Sequence, residues 1–297
     1  MEKKLLFVYN PVSGKAQVKN YLADIVDIYS SGGYSITVHP TQAKGDGYNY
    51  IKEHATEYDI ISICGGDGML NEAVSALMCI EKDVRPSLAY LPAGSTNDFA
   101  GTIGLPVSIR QAAKMAIDGK PFFCDAGQLN GKYFAYVAAF GAFTAVSYST
   151  SQDSKNIFGH FAYILEGIRK LSTIKPIHMK ITFNDKIIED DFLIGLVTNS
   201  LQVGGVKCSM GNAISLNDGL FEVLLIKKPQ NAFGYQNIIS SLLSQNIDKA
   251  PDIISFKAGS ILFESDSPVS WTVDGEFGGE MEKAEIINHS RAYSVII

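Results

Sequence analysis

Residues 64–74, CGGDGMLNEAV, set three glycines and an acid directly after an apolar run and directly before a helical pattern. Gly65, Gly66 and Gly68 put no side chain between backbone N–H groups and an approaching anion. A helix beginning there adds partial positive charge. Asp67 would repel bare phosphate, so its place beside such N–H groups points to a Mg²⁺-bound nucleotide. A tight strand-to-helix turn accounts for the segment equally well on its own. Asn71 stands where a dinucleotide fingerprint needs its third glycine, and the segment is not a Walker A loop either.

Two more segments share this grammar. NPVSGK, residues 10–15, ends an apolar run with small polar residues, without the Ser or Thr that a P-loop places after its Lys. LPAGSTNDFAG, residues 91–101, again passes from strand-like residues to small ones and then to Asn97-Asp98. In a parallel sheet all three loops leave the carboxyl edge, where ligands bind in open α/β folds. Together they favour a phosphate site over three unrelated turns. Nearer the C-terminus, VDGE (residues 273–276) reads as an Asp-Gly hairpin turn after VSWTV. Its carboxylates, Asp274 and Glu276, are two residues apart and would share a face on a regular strand. SLNDGLFEV, residues 215–223, reads by itself as a plain hairpin.

The elements that must carry these loops follow from periodicity. LLFVYN, YSITVHP, DIISIC and PSLAYLP are compact strand-like runs. AQVKNYLADIVDIYSSGG, GYNYIKEHATEY, MLNEAVSALM and SIRQAAKMAIDGK between and after them have helical spacing. This βαβα order predicts a parallel sheet covered by helices over residues 1–125. From 126 to 297 the grammar is antiparallel β. Asn130-Gly131, Asn184-Asp185, Asp218-Gly219 and Asp274-Gly275 punctuate segments rich in β-branched and aromatic residues. The fold class is therefore α/β plus all-β. No Pro/Ser-rich linker marks the boundary, so the two parts are expected to pack directly, with a cleft between them. Two helical patterns interrupt the β half. NIFGHFAYILEGIRKL, with Arg169, Lys170 and Lys175 at or just beyond its end, suits a helix packed on the sheet or one facing a membrane. The other is residues 231–247.

Composition narrows the partners. The chain of 297 residues is 46% hydrophobic with a formal net charge of -6, enough apolar material for a real core. That acidity argues against nucleic acid as a partner and against wholesale attachment to anionic lipid. Cys64, Cys79, Cys124 and Cys208 have no zinc-like spacing and no disulfide framework is expected. The apolar run near the N-terminus is too short for a secretory signal, and no stretch approaches a membrane span, so a cytoplasmic location is expected.

NPVSG, GGDG with Asn71-Glu72, PAGSTNDFA and VDGE together resemble the diacylglycerol kinase catalytic family of soluble lipid kinases. The likeness runs over nearly the whole chain and includes FGHFAYILEGIRKL and SLNDGLFEV. It implies an N-terminal α/β nucleotide domain of the NAD kinase/diacylglycerol kinase-like type and a C-terminal β-sandwich. The active site lies between them, and the last strand, about 286–297, returns to the first domain. ATP would be held by Asn10, Pro11, Val12, Ser13 and Gly14, by Thr41, and by Gly65, Gly66, Asp67, Gly68, Met69, Leu70, Asn71 and Glu72. Gly94, Ser95, Thr96 and Asn97 complete that set. Asp67 and Asp98 would position Mg²⁺ through water. One of Asp274 and Glu276 would be the base that deprotonates the lipid hydroxyl, while the other orients metal or ribose. A second, structural Mg²⁺ would sit at Asp218 with backbone carbonyls near Ser215 and Leu220, an oxygen-only set that suits a hard cation.

The expected activity is ATP- and Mg²⁺-dependent phosphorylation of a lipid hydroxyl, with diacylglycerol giving phosphatidic acid, by an enzyme transiently peripheral to the membrane. Nothing in the sequence selects between a monomer and a homodimer. Two departures bear on efficiency: Met69 stands where the family usually has Thr, and Gly101 where an Arg often follows NDFA. They motivate one alternative, a lipid- or nucleotide-binding regulator with impaired catalysis. NAD kinase, which shares GGDG, is the other, though it leaves STNDFA and VDGE unexplained.

Overall fold

The computed structural model describes residues 2–13, 18–95, 97–141, 174–200, 202–203, 206–207, 215–244 and 250–297. Two compact units divide the chain. One comprises Met1–Ala126 together with Arg291–Ile297, and the other Gly127–Ser290.

In the first unit β1 (Lys3–Tyr9), α1 (Val18–Ser31), β2 (Tyr34–Pro40), α2 (Asp46–His54), β3 (Ile60–Gly65), α3 (Asp67–Met78), β4 (Ser87–Pro92), α4 (Asp98–Ile103) and α5 (Ile109–Asp118) follow in order. The strands line up as β4-β3-β1-β2, all parallel. These strands are short because each is one apolar run ended by Gly, Pro or Asn. β3 is buried throughout and β1 from Leu5 onward, as a sheet covered on both faces requires. Leu5, Phe7, Ile25, Tyr29, Ala112, Ala113 and Ala116 share one core, which α1 and α5 close from one side.

The second unit takes in β5 (Pro121–Leu129) from Gly127 onward, β6 (Lys132–Phe134), β7 (Val137–Gly141), β8 (Ile177–Phe183), β9 (Lys186–Thr198), β10 (Gln202–Val203), β11 (Val206–Lys207), β12 (Phe221–Lys227), α6 (Ala232–Leu243), β13 (Ile253–Ala258), β14 (Ser260–Val273) and most of β15 (Glu276–Ile296). All its ladders with a printed register are antiparallel. Long strands β9 and β14 each pair with both β7 and β8. Trp271, Phe140 and Phe263 meet in the core between them. Asn130-Gly131, Asn184-Asp185 and Asp274-Gly275 each form a two-residue hairpin turn with both residues at positive φ. Such turns match the twist of the flanking strands.

Asp218-Gly219 departs from the expected hairpin. It lies in a turn that leads into β12, with no strand directly before it among the described residues. The helical pattern of NIFGHFAYILEGIRKL falls outside the described residues. α6 occupies Ala232–Leu243 of the pattern expected over 231–247, capped by the Asn231 side chain, which accepts from Gly234 N at 3.0 Å.

The last strand crosses from one unit to the other in sequence. Its residues from Arg291 belong to the first unit, where Val295 pairs in parallel with Leu88 of β4. Lys120 and Ile297 exchange backbone hydrogen bonds of 2.9 and 3.1 Å, and Ile296 enters the first unit's core.

Candidate active site

Because β1 to β4 are parallel, the loops after Tyr9, Pro40, Gly65 and Pro92 all emerge at one carboxyl edge. The structure thus brings together the segments that contain Asn10–Ser13, Thr41, Gly65–Glu72 and Gly94–Asn97. Gly14 and Thr96 lie outside the described residues.

These loops hold one another. Asn10 folds its side chain into its own turn, accepting from Val12 N at 3.0 Å, while its N–H donates to Cys64 O at 3.0 Å. The Ser13 hydroxyl donates to Ala93 O at 3.1 Å, which links the first loop to the last. Thr41 is buried and its N–H donates to Tyr9 O at 2.9 Å. Pro11 and Val12 form the tip of their turn, and Val12 is largely exposed.

The GGDG segment is less of a loop than expected. α3 begins at Asp67, with Gly66 as its N-cap. Asp67 and Gly68 are therefore already in the first helical turn, half-buried and exposed respectively. Gly66 approaches Gly94 so closely that a Cβ on Gly94 would lie 2.5 Å from Gly66 Cα. Glycine at 94, and less strictly at 66, where a Cβ would lie 3.1 Å from Gly94 Cα, lets the two backbones meet and leaves a cradle to which neither residue adds a side chain. That feature and the helix N-terminus fit phosphate.

Other members of the segment serve the fold. Met69 is buried, packed toward Gly65 and Gly47, and its N–H donates to Gly66 O at 3.0 Å. Leu70 is fully buried and donates to the same carbonyl at 3.2 Å. The side chain at position 69 thus packs toward β3 and α2. Glu72 departs further from the expected role. Its two oxygens accept from Gly45 N at 2.9 Å and Tyr48 N at 3.2 Å, so it caps α2 from α3. A carboxylate suits that helix N-terminus. Asn71 is half-buried on α3.

In the last loop Asn97 takes the left-handed conformation, φ 51°. Its amide engages both ends of Gly94: Gly94 N donates to Oδ1 at 2.9 Å and Nδ2 donates to Gly94 O at 3.0 Å. Asn97 shapes the loop, while exposed Ser95 remains open to a ligand. Asp98 starts α4 and is 2% exposed. Beneath both glycine turns lies Tyr90, which the sequence reading overlooked. Its hydroxyl stands 3.3 Å from Gly65 O and 3.3 Å from Asn97 Oδ1. Burial, reinforced by the charges of Asp67, Cys64 and Asp98, raises its pKa well above the ordinary phenol value, so it stays a proton donor. A polar aromatic within the apolar run Leu88–Pro92 was the available signal, since a buried Tyr hydroxyl needs a partner.

The second unit separates the two acids of VDGE. Asp274 occupies the turn at φ 48° and is 3% exposed. Its carboxylate accepts N–H groups from Ala135 at 2.6 Å and from Tyr136 and Val137 at 3.0 Å each. Glu276, which begins β15, is exposed. The expected shared face does not occur, because the hairpin turn falls between them. Asp274 is a backbone clamp that organises the bend from β6 to β7, and Glu276 is the acid within reach of solvent.

The Asp218 loop does not fit a structural Mg²⁺. Asp218 Oδ1 accepts from Leu220 N at 3.1 Å, and Oδ2 lies 3.5 Å from Lys257 Nζ. The same ammonium is 2.7 Å from Glu222 Oε1, and Ser215 Oγ bonds to Asn217 Oδ1 at 3.2 Å. A lysine already supplies the positive charge. Among the described residues no group of three or more His, Cys, Asp or Glu side chains could hold a metal ion.

A parallel α/β unit with a glycine-lined carboxyl edge and an antiparallel β unit define the NAD kinase/diacylglycerol kinase-like class of folds. Comparison with known proteins agrees. Residues 4–129 match the diacylglycerol kinase catalytic domain, and residues 137–289 match the YegS C-terminal NAD kinase beta sandwich-like domain. A diacylglycerol kinase of Bacillus subtilis is 33% identical over 297 residues, covering 99% of this chain and 96% of that relative. One from Staphylococcus epidermidis is 35% identical over 286 residues, covering 95% and 88%. The crystal structure of a diacylglycerol kinase from Bacillus anthracis superposes with a TM-score of 0.82 at 27% identity, covering 99% of this chain and 96% of that one. The chain belongs to the diacylglycerol kinase family. None of its described helices is long and apolar enough to cross a membrane.

Proposed function

We propose that the protein transfers the γ-phosphoryl group of ATP to the hydroxyl of diacylglycerol, giving phosphatidic acid. The observation that carries this reading is the side-chain-free cradle where Gly66 and Gly94 meet, at the edge to which Asn10–Ser13 and Thr41 also come. The names of the relatives supply the substrate class. Asn10, Ser13, Thr41, Gly65–Gly68 and Gly94–Ser95 would hold the nucleotide, with Gly14 and Thr96 completing those loops. Asp67, half-buried on the first turn of α3, would hold Mg²⁺ through water, and buried Asp98 would support it from behind. With Mg²⁺ bound, the charge on the phosphoryl oxygens is neutralised. The protein's remaining task is alignment.

The lipid oxygen would attack the γ-phosphorus as the bond from that phosphorus to the β–γ bridging oxygen breaks, and by the resemblance to the family the acid to take the hydroxyl proton is Glu276. Glu276 is the better base of the VDGE pair because the lone pairs of Asp274 already receive three backbone N–H groups. As a kinase of this kind the protein would work in the cytoplasm, transiently at a membrane surface. The test is incubation with γ-labelled ATP, Mg²⁺ and diacylglycerol micelles. Label in phosphatidic acid that disappears in Asp67→Ala supports the reading. Label appearing only in NADP⁺ when NAD⁺ is added would replace it.

A further inference from the structure

Gly65 O and Asn97 Oδ1 belong to different loops, and one hydroxyl touches both. Each of these acceptors has another donor. Gly65 O receives Ala93 N at 2.8 Å, and Asn97 Oδ1 receives Gly94 N at 2.9 Å. The phenol of Tyr90 is thus not required to satisfy either atom, and its single proton, shared between the two acceptors, is an extra tie across the base of the cradle. Neighbouring Gly66 and Gly94 are in backbone contact, so any change of spacing there moves both glycine turns. The tyrosine ring is almost fully buried, which fixes where the hydroxyl stands.

We propose that Tyr90 is a positioning residue for ATP: its hydroxyl holds the turn after β3 and the turn after β4 at the separation that fits the phosphates. The inference rests on the kinase reading above. Phenylalanine at position 90 keeps the ring and leaves no acceptor orphaned, so it should fold normally while the cradle loosens.

The experiment is calorimetric titration of MgATP into the full-length wild type, Tyr90→Phe, Asn97→Ala and the double variant. Melting curves without nucleotide and KM for ATP and for lipid accompany it. Loss of one hydrogen bond's worth of alignment predicts ATP binding weaker by roughly two- to twelve-fold in Tyr90→Phe. KM for ATP should rise in parallel, while KM for lipid and the melting temperature hold. Tyr90→Phe should cost less affinity in the Asn97→Ala background, where one of the two acceptors bridged by the hydroxyl is already gone. Wild-type affinity in Tyr90→Phe overturns the inference and leaves the kinase reading standing, as does a loss of ATP affinity matched by an equal loss for lipid. Failure of the wild type to bind ATP at all overturns both. If Tyr90→Phe melts too low to titrate, the tyrosine is a core residue and the positioning role is rejected.

Discussion

Glutamine at position 276 keeps the length of the side chain and removes its capacity to take a proton. Since Glu276 is exposed, Glu276→Gln should change the unfolding free energy by no more than the range of surface substitutions, about 0.5 kcal/mol, yet abolish label transfer to lipid. Asp274→Asn should do the reverse of a purely chemical lesion. An amide NH₂ in place of either oxygen would face a backbone donor, so stability should fall by about 3 kcal/mol, read in urea melts. Equal stability loss in both variants would erase the division of roles. Lys257→Met tests the cation seat. Burial holds the pKa of Glu222 above the usual carboxylate value, with Lys257 opposing that rise. A carboxyl group with a raised folded pKa keeps its proton in the folded state after the unfolded chain has lost it, so stability declines as pH rises through that window. Without Lys257 the window widens upward. Lys257→Met should therefore be destabilised by about 3 kcal/mol at neutral pH, with the deficit narrowing as the buffer is acidified and Glu222 protonates. A deficit that is constant with pH would reject the pairing.

At the scale of elements, the glycine contact makes Gly94→Ala a sharp probe. The added methyl would sit 2.5 Å from Gly66 Cα and 2.8 Å from Asn97 Oδ1, so the turns must separate. ATP affinity should fall at least ten-fold, while the melting temperature drops only as far as a surface loop allows; unchanged ATP affinity in a titration would remove these turns from the nucleotide site. Most elements were legible beforehand because their signals are local. Apolar runs ending in Gly or Pro marked β1 to β4, and Asn-Gly, Asn-Asp and Asp-Gly marked three hairpins. What escaped depends on partners distant in sequence. Nothing near Glu72 says that its oxygens cap a helix whose N-cap residue, Gly45, lies 27 residues earlier. Nothing near Asp274 says that it clamps Ala135 to Val137. Two carboxylates at an interval of two look alike until the turn residue between them is known to reverse the chain. Nothing near Asp218 says that its neighbouring cation is Lys257, which lies on β13.

At the scale of the molecule, the first unit is discontinuous: Arg291–Ile297 completes it. Arg85 donates to Ala292 O, Ser87 and Ser294 share a hydrogen bond of 3.0 Å, and Asp125 Oδ1 accepts from Arg291 N at 2.7 Å. Residues 1–126 expressed alone should therefore leave β4 as an open edge and aggregate. Because Asp125 and Arg291 are neighbours, grafting residues 291–297 after Ala126 through a short turn should restore a cooperative melt. Circular dichroism of the two polypeptides checks this, and a well-folded 1–126 would contradict it.

That arrangement also orders events in time. A ribosome releases residues 1–126 long before residues 291–297, with all of the second unit made in the interval. Domains often fold as they emerge, but here the nascent first unit waits with an unpaired strand edge until the second has been synthesised. A chain that stalls or is cut within the second unit can never close the sheet that carries the glycine cradle. Only chains made through Ile297 would become competent to bind nucleotide, and shorter ones would display the exposed edge that chaperones and proteases recognise.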